Sequence, residues 1–292
     1  MRQPTRGEKI FGVCNVLFLG FVGLLCLYPF VYTLSISLST ATAATQDGFH
    51  FYPKEVSFLS YKVVLANPDV LTGYVNSVIR TVLGTLLTVL GCSIAAYPLA
   101  RKEMPHRALM TFLVIFTMLF SGGMVPTYLL INRLGMINTV WSLVLPTALV
   151  AFNIIIIKNF FQAIPESLAE SARIDGAGEW RILFQLYMPL SKPVLATVAL
   201  WAAVGHWNAW FDALLYITDD NKQVLQTFLQ RIVIESSTEL MELGVNDASA
   251  VEFTGETIKA ATIVVTILPI VCVYPFLQRY FVKGIMLGGV KE

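Results

Sequence analysis

Charged residues are scarce in this chain, because Asp, Glu, Lys and Arg together make up only 13% of its 292 residues. Soluble globular domains carry about 25%. Hydrophobic residues reach 56%, and the mean hydropathy is +0.68. So little charge cannot cover so much apolar side chain in water, which excludes an ordinary soluble domain and favours a protein of the lipid bilayer. The net charge of +1 also gives no electrostatic footprint for nucleic acid.

Cysteine pairs and the common catalytic motifs are also missing. Cys14, Cys26, Cys92 and Cys272 lie in hydrophobic blocks without Cys-x-x-Cys spacing, which argues against a metal site or a disulfide framework. We expect four buried thiols that pack as small apolar groups. The chain contains neither a Gly-x-x-x-x-Gly-Lys-Ser/Thr phosphate loop nor a Gly-x-Ser-x-Gly motif.

Long hydrophobic runs are what the sequence has in abundance. A membrane-spanning helix needs about 20 mostly apolar residues, and runs of that kind cover residues 11–36, 74–99, 108–130, 139–161, 193–217 and 259–282. The first run is longer than the ~7–15 apolar residues of a signal peptide, so we expect an uncleaved span. We predict an all-α integral membrane protein with six transmembrane helices, which form one domain over residues 1–292.

The distribution of Lys and Arg predicts an orientation. If the N-terminus is cytoplasmic, most of the 20 Lys and Arg residues fall in cytoplasmic segments, as the positive-inside rule requires. Both termini and the loop 162–192 are then cytoplasmic, whereas the polar segment 218–258 lies outside. The chain is thus predicted to be a multi-pass protein of the bacterial cytoplasmic membrane.

Residues 165–193 form the longest charged and amphipathic interruption between hydrophobic runs. Gly176 and Gly178 should end a first short helix, and a second apolar run over residues 180–188 should stop at Pro189. The stretch therefore predicts two short helices joined by a glycine bend, with a shape suited to docking into a partner. An amphipathic loop that lies on the membrane surface is the alternative.

The spacing within this stretch resembles the EAA signature of bacterial ABC-importer permeases. Glu170-Ser171-Ala172 is followed by Gly176 after three residues and by Leu186-Tyr187-Met188-Pro189 after nine more. The usual pattern is Glu-Ala-Ala, Gly and Ile-x-Leu-Pro, so the departures are mild. The resemblance implies a type I ABC importer permease fold, in which this loop is a coupling helix that docks into an ATP-binding subunit. The residues expected to couple to that subunit are Glu170, Ser171, Ala172, Asp175, Gly176, Ala177 and Pro189.

A second resemblance points to the class of solute. Asp175-Gly176-Ala177 is similar to the triplet of carbohydrate importers, and residues 120–130, FSGGMVPTYLL, resemble the branch associated with oligo- and polysaccharide uptake. The resemblance implies four partners: a second permease that is a paralogue, two ATP-binding subunits and an extracytoplasmic solute-binding protein. ATP and Mg²⁺ would bind to those partner subunits, so we expect no cofactor, metal or catalytic site in this chain.

The end of the fifth run carries residues that suit a sugar. His206, Trp207, Asn208 and Trp210 combine flat apolar faces with polar groups, and the Trp207-Asn208 pair is similar to a Trp-Asn motif of the family. Because polar side chains within a span usually face a cavity, we predict that these four residues and Asn153 line the substrate pathway. For each tryptophan, an aromatic belt at the membrane surface is the alternative.

Arg80 lies near the outer end of the second run, where two placements are open. Its guanidinium either extends to the membrane surface or faces the pathway. In the second case, with His206 nearby, it would favour acidic substrates such as uronate oligomers of the alginate type. Further along the same run, Gly84, Thr88 and Gly91 share one helical face, which predicts close packing against another helix.

Two other classes of function are weighed against an oligosaccharide permease. An intramembrane hydrolase could use Ser121 and His206, but the sequence offers no third residue to orient the histidine. A self-sufficient secondary transporter should show internal repeats and carboxylates within its spans, but the runs show no clear repeat, and only Asp212 lies near a span, at its end. We therefore expect a transport subunit that is driven by ATP hydrolysis in its partners.

Overall fold

The computed structural model describes residues 5–46, 48, 50–234 and 254–289. For Arg6 and for residues 233–234 and 274–289 it describes the backbone only. Within these ranges the fold is helical, and the single β-type pairing is an isolated antiparallel bridge between Ser39 and Val56. Residues 235–253, in the middle of the predicted outer segment 218–258, lie outside the described residues.

Most of the helices follow one another with short connections, and a longer stretch, residues 45–58, separates α2 from α3. In chain order they are α1 (Arg6–Ser37), α2 (Ala41–Ala44), α3 (Leu59–Ala66), α4 (Pro68–Ala100), α5 (Arg107–Leu119), α6 (Met124–Arg133), α7 (Val140–Val144), α8 (Ala151–Gln162), α9 (Glu166–Ile174), α10 (Glu179–Ile182), α11 (Met188–Leu190), α12 (Lys192–Asn208), α13 (Phe211–Tyr216), α14 (Leu225–Ile234) and α15 (Gly255–Gly289). A π-helical turn, Leu183–Tyr187, joins α10 to α11, and 3₁₀ turns occupy Leu145–Thr147 and Asp220–Lys222.

Three of the six predicted spans are single helices. Gly7–Ser37, Pro68–Ala100 and Gly255–Val273 are long and apolar enough to cross a membrane. They correspond to the predicted runs 11–36, 74–99 and 259–282. Three further pairs of helices qualify only as bent pairs, so the described chain holds up to six spans if each pair counts as one.

The other three predicted runs, 108–130, 139–161 and 193–217, are not continuous helices. The axes of α5 and α6 differ by 109° across the break at residues 120–123, where Gly123 has φ +89°, a left-handed value that favours glycine. The α7 segment and α8 meet at 52°. The run 193–217 is divided between two helices, because α12 ends at Asn208 and α13 begins at Phe211. Glycine and proline at 120–126 signal the first break, but the apolar composition hides the other two.

The break before α8 is stabilised by a neighbouring thiol. Breaks leave carbonyls without helical partners, and Cys92 Sγ on α4 lies 3.7 Å from the Ala148 oxygen and 3.8 Å from the Val150 oxygen. A thiol is a weak donor, so Cys92 partly satisfies these carbonyls while it packs in the core.

The prediction of four buried thiols is wrong for three of them. Cys92 is buried, but Cys14, Cys26 and Cys272 are exposed on the described chain. Residues 7–27 of α1 are exposed throughout. In a membrane protein an apolar side chain need not be covered by its own chain, because lipid or another subunit can cover it.

Contacts divide the chain into two compact units. The first combines Met1–Val70 with Leu229–Leu268. In it, Ile36, Ala44 and Ala260 form a small apolar cluster, and Ser60 Oγ donates to Thr257 Oγ1 at 2.9 Å. The second combines Leu71–Phe228 with Pro269–Glu292 and contains every candidate site residue named above. The assignment of one domain over residues 1–292 stays a prediction.

The second unit has two apolar cores, one at the C-terminal end of α4 and one that packs against Leu83 and Leu87 in the middle of α4. One packs the C-terminal half of α4 against α8, α9 and the stretch 179–198, and its buried members include Ala96, Tyr97, Phe161, Ala169, Leu183 and Val198. The other joins Ile131 of α6, Val144 of α7, Ala213 and Tyr216 of α13, and Val224. These cores fix the two regions in which the candidate site residues lie.

Gly84, Thr88 and Gly91 of α4 form the close-packing face that the sequence predicts. A Cβ atom at Gly84 would overlap the imidazole ring of His206 in α12. A Cβ atom at Gly91 would lie 2.9 Å from Leu149 Cδ2, and Thr88 is buried between the two glycines. The absence of a side chain at Gly84 therefore lets His206 lie directly on the α4 backbone.

We expect Gly84→Ala to destabilise the protein, because the added methyl group displaces the His206 ring and with it α12. Overpacking of this kind costs about 1–3 kcal/mol. Gly205→Ala, on the facing helix α12, is the matched control, because nothing lies within 4 Å of a Cβ atom there. That control should be neutral or stabilise by up to ~1 kcal/mol through helix propensity. Thermal unfolding in detergent measures both, and equal melting temperatures would contradict the packing argument.

Candidate functional site

The stretch 165–193 folds into the predicted pair of helices joined by a glycine bend. Helix α9 ends in a Schellman motif, in which the Gly176 N–H donates to the Arg173 carbonyl at 2.9 Å and the Ala177 N–H donates to the Ala172 carbonyl at 2.9 Å. Gly176 has φ +81°, which explains why glycine occupies this position. Gly178 has φ −73° and caps α10, so only Gly176 is required by its backbone conformation.

The signature residues divide into a packed set and an exposed set. Ala172 and Ala177 pack against the apolar core that contains Ala169, so their small size lets α9 lie close to the rest of the unit. The exposed set comprises Glu170, Ser171, Asp175, Gly176 and Pro189. The second set is free to contact another protein, as the resemblance implies.

The prediction that the second helix stops at Pro189 is wrong. The helical path from Glu179 continues through Pro189 to Leu190, and α12 follows at an angle of 85° after Ser191. A proline inside an α-helix clashes with the carbonyl four residues earlier. The π-helical turn Leu183–Tyr187 directly precedes this proline, and its wider turn changes which carbonyls lie beneath the ring.

Apolar side chains are exposed on the same loop, a feature that the sequence reading missed. Ile174, at the end of α9, is 87% exposed, and Trp180, at the start of α10, is 63% exposed. Trp180 stacks on Phe184 with ring centroids 6.1 Å apart. Exposed apolar groups beside charged ones are typical of surfaces that bind proteins. An amphipathic period read along α9 could have revealed Ile174.

Charged and polar groups meet where the loop contacts the end of α4. The Glu179 carboxylate accepts a hydrogen bond from the Tyr97 hydroxyl, lies 3.3 Å from Arg101 Nη1 and accepts from Arg173 Nε at 3.0 Å. Arg101 Nη2 also donates to Glu103 at 2.9 Å. These groups line a groove of about 800 Å³ between α4 and the loop.

Arg101 holds its charge in this groove. Burial alone disfavours the charged guanidinium, but hydrogen bonds to Glu103 and Tyr97 and the nearby charge of Glu179 outweigh that effect, so the pKa of Arg101 is raised above its ordinary value. Arg101 is therefore a permanent cation at the end of α4.

A second cavity, of about 740 Å³, lies between α4, the break before α8, and the helices α12 and α13. Five of the six predicted pathway residues line it: Arg80, Asn153, His206, Asn208 and Trp210. The structure thus brings together side chains from three separate hydrophobic runs. The cavity combines amide, imidazole and aromatic groups, which suit the hydroxyls and the apolar faces of a sugar.

Trp207 does not line this cavity, and its place beside Asn208 in the substrate pathway stays a prediction. Its buried ring packs edge-to-face on Tyr74 with the centroids 5.6 Å apart, and it borders a smaller apolar pocket of about 210 Å³. Successive residues of a helix point about 100° apart. Trp207 can therefore face Tyr74 while the preceding His206 faces the cavity.

Arg80 is turned inward, and of its two placements the one that extends to the membrane surface does not agree with this structure. Only 1% of Arg80 is exposed, its Nη1 donates to the Ala209 carbonyl at 2.9 Å, and its Nη2 forms an ion pair with Asp212. Ala209 follows the C-terminal end of α12, and Asp212 lies in the first turn of α13. The cation thus faces the negative end of one helix dipole, and the carboxylate lies at the positive end of another.

Several cavity residues were missed by the sequence reading. They are Thr88, Phe152, Trp201, Phe211 and Asp212. Phe152 and Trp201 form an aromatic pair with centroids 5.7 Å apart, and Thr88 Oγ1 has no hydrogen-bond partner among the described residues. The pairing of Asp212 with Arg80 could have been suspected, because each is the one ionisable residue at the outer end of its run apart from histidine.

The hydrolase hypothesis finds no support in this geometry. His206 is buried in the cavity wall against Gly84. Ser121, which lies in the break between α5 and α6, is not among the described residues that line the cavity. The cavity that His206 lines therefore brings no serine nucleophile to the histidine among the described residues that line it.

Comparison with known proteins gives consistent matches along the chain. Residues 88–287 match the family described as "Binding-protein-dependent transport system inner membrane component". Protein LplC of Bacillus subtilis (strain 168) is 45% identical over 290 residues, which cover 98% of this chain and 97% of that protein. The polygalacturonan/rhamnogalacturonan transport system permease protein YtcP of the same organism is 41% identical over 287 residues, which cover 97% and 99%.

One solved structure matches almost the whole chain. It is the crystal structure of a bacterial ABC transporter involved in the import of the acidic polysaccharide alginate. The match has a TM-score of 0.87 at 34% identity and covers 96% of this chain and 100% of the matched chain. The bent and broken helices described above are therefore arranged much as in that transporter chain.

Proposed function

Since this chain belongs to the family of binding-protein-dependent transport system inner membrane components, we propose that it forms one half of the membrane pathway of an ABC importer for oligosaccharides, acidic ones included. The observation that carries the proposal is the cavity lined by Asn153, His206, Asn208, Trp201 and Trp210. Its aromatic faces match the apolar side of a sugar ring, and its polar groups match the hydroxyl rim.

The acidic character of the substrate is inferred from the relatives. YtcP is named for polygalacturonan and rhamnogalacturonan, and the matched transporter is described as importing alginate. Polygalacturonan and alginate are both built from uronate sugars. The Arg80 guanidinium already binds Asp212 and the Ala209 carbonyl. The proposal therefore does not rely on a bond from Arg80 to a carboxylate of the substrate.

The partners follow from the family and from the loop 162–192. We place α9, the coupling helix, in a cleft of an ATP-binding subunit, with the exposed Glu170, Ser171 and Asp175 as contacts. The sequence has no phosphate loop of its own, so two partner subunits bind and hydrolyse ATP with Mg²⁺. A second permease, a paralogue of this chain, completes the pathway, and a solute-binding protein delivers the substrate.

This arrangement places both termini and the coupling helix in the cytoplasm, in agreement with the distribution of Lys and Arg. Closure of the ATP-binding subunits would move α9, and the segment from α10 through α11, which meets α12 at 85°, would carry that movement to the cavity wall. The permease itself contributes different contacts to the substrate in two conformations, without covalent chemistry.

The substrate class can be tested with the reconstituted importer in proteoliposomes. We expect its own binding protein, loaded with a uronate oligomer, to stimulate ATP hydrolysis about tenfold, a typical size for coupling between sites. A neutral oligomer of equal length is the matched comparison and should stimulate less. Stimulation by the neutral oligomer alone would refute the acidic substrate, and no stimulation by any oligosaccharide would refute the proposed function.

A further inference from the structure

We propose that Glu179 transmits the movement of the coupling helix α9 to the membrane helix α4. The proposal rests on the proposed function, because it presupposes that α9 is moved by an ATP-binding partner. Glu179 lies three residues beyond Gly176 and is not one of the signature residues.

The Glu179 carboxylate joins three separate elements. One oxygen accepts from Arg173 Nε of α9 at 3.0 Å. The other accepts from the Tyr97 hydroxyl of α4 and lies 3.3 Å from Arg101 Nη1, directly after the end of α4. Glu179 itself is the first residue of α10. A single side chain thus ties α9, α10 and α4 to one another.

The hydrogen bonds of Glu179 depend on the relative orientation of the loop and α4, whereas the attraction between apolar groups does not. Ala169, Leu183 and Tyr187 pack with Tyr97 in one core, and this core holds the loop against α4. The attraction between apolar groups is non-directional, so the close fit of this core and the hydrogen bonds of Glu179 together set the position of the loop on α4. Hydrogen bonds weaken steeply when their geometry is lost, so the three donors fix the register between the loop and α4.

Helix α4 connects Tyr97 with the residues that line the cavity. Tyr97 and Arg80 lie 17 residues apart on the same helix, which corresponds to about 25 Å at a rise of 1.5 Å per residue. Thr88 and Arg80 line the cavity. A displacement of α9 that reaches Tyr97 through Glu179 would therefore also move the groups of α4 that line the cavity.

The arrangement gives a sharp test in proteoliposomes that contain the complete importer. We expect Glu179→Ala to lower the amount of substrate transported per ATP hydrolysed by about tenfold, within the usual range of coupling between sites. Assembly with the ATP-binding subunits and basal ATP hydrolysis should stay within about twofold of wild type, because the apolar core and the exposed face of α9 are unchanged.

Glu103→Ala is the matched control. Glu103 also pairs with Arg101, at 2.9 Å, but this bond stays within the connection after α4 and does not reach the loop. Transport per ATP should remain near wild type in this variant. Tyr97→Phe provides a second test that keeps the ring packing, and it should uncouple transport by a smaller factor than Glu179→Ala.

Three results would overturn the inference. The first is unchanged transport per ATP in Glu179→Ala, and the second is a loss in Glu103→Ala as large as that in Glu179→Ala. The third is failed assembly of Glu179→Ala together with unchanged transport per ATP in Tyr97→Phe. Each of them leaves the proposed function intact, provided that the wild-type complex couples transport to ATP hydrolysis. A wild-type complex that fails to do so would refute the proposed function instead.

Discussion

Arg80→Gln should abolish transport of acidic and neutral oligosaccharides alike. The substitution leaves the Asp212 carboxylate at the cavity wall without its ion-pair partner and the Ala209 carbonyl without its donor. Removal of one partner of a buried ion pair costs about 3–5 kcal/mol. The Asp212 side chain is 25% exposed, so the loss of stability should lie near the lower end of that range. Such a loss still corresponds to about a hundredfold change in the folding equilibrium constant.

The double variant Arg80→Gln/Asp212→Asn separates structure from recognition. Replacement of both partners removes the unpaired charge, and such exchanges are often close to neutral. We therefore expect the double variant to regain most of the stability and transport that Arg80→Gln loses, as measured by thermal unfolding and by uptake into proteoliposomes. Selective loss of uronate uptake in Arg80→Gln, with no recovery in the double variant, would instead support direct recognition of substrate carboxylates by Arg80.

Gly176→Val should disconnect the permease from its ATP-binding subunits. Gly176 has φ +81°, and a left-handed conformation is strongly unfavourable for a β-branched residue. The strain would break the hydrogen bonds of the Schellman motif that ends α9. The exposed residues Glu170, Ser171 and Asp175 would then change their positions. We expect co-purification of the ATPase and substrate-stimulated hydrolysis to fall by about tenfold or more.

Gly176→Asn is the matched control, because asparagine tolerates the left-handed region. Nothing lies within 4 Å of a Cβ atom at this position, so the asparagine side chain has room, and the variant should retain most of the association. Gly178→Ala should also retain it, because its φ of −73° suits any residue. Equal losses at Gly176 and Gly178 would show that the bend acts through something other than backbone conformation.

The family, the all-α permease fold and the coupling loop could be predicted because their signals are local. Three single spans, the break at 120–123 and the glycine bend each follow from residues close together in the chain. Helix continuity at 139–161 and 193–217 was predicted wrongly, because breaks there leave the apolar composition unchanged. The stop at Pro189 was predicted wrongly because a π-helical turn accommodates the proline.

The cavity could be predicted only in part. Polar residues within spans pointed to Asn153, His206 and Asn208 because burial of such groups requires a polar environment or a cavity. Trp207 was assigned with its neighbours, yet the rotation of a helix turns it toward Tyr74. The exposed Ile174 and the bonds made by Glu179 were not predicted, because each depends on what the loop contacts.

By itself, the sequence determined that the chain belongs in a lipid bilayer, the number of hydrophobic runs and the glycine bend in the loop 162–192, because hydropathy, charge and glycine spacing are properties of residues close together in the chain. Only the tertiary structure decided that Arg80 pairs with Asp212, which is 132 residues away in sequence, and that Glu179 reaches back to Tyr97. Such pairs depend on which helix faces meet. The spacing of Gly84, Thr88 and Gly91 predicts a close-packing face on α4, but composition and spacing do not encode that His206 of α12 packs there.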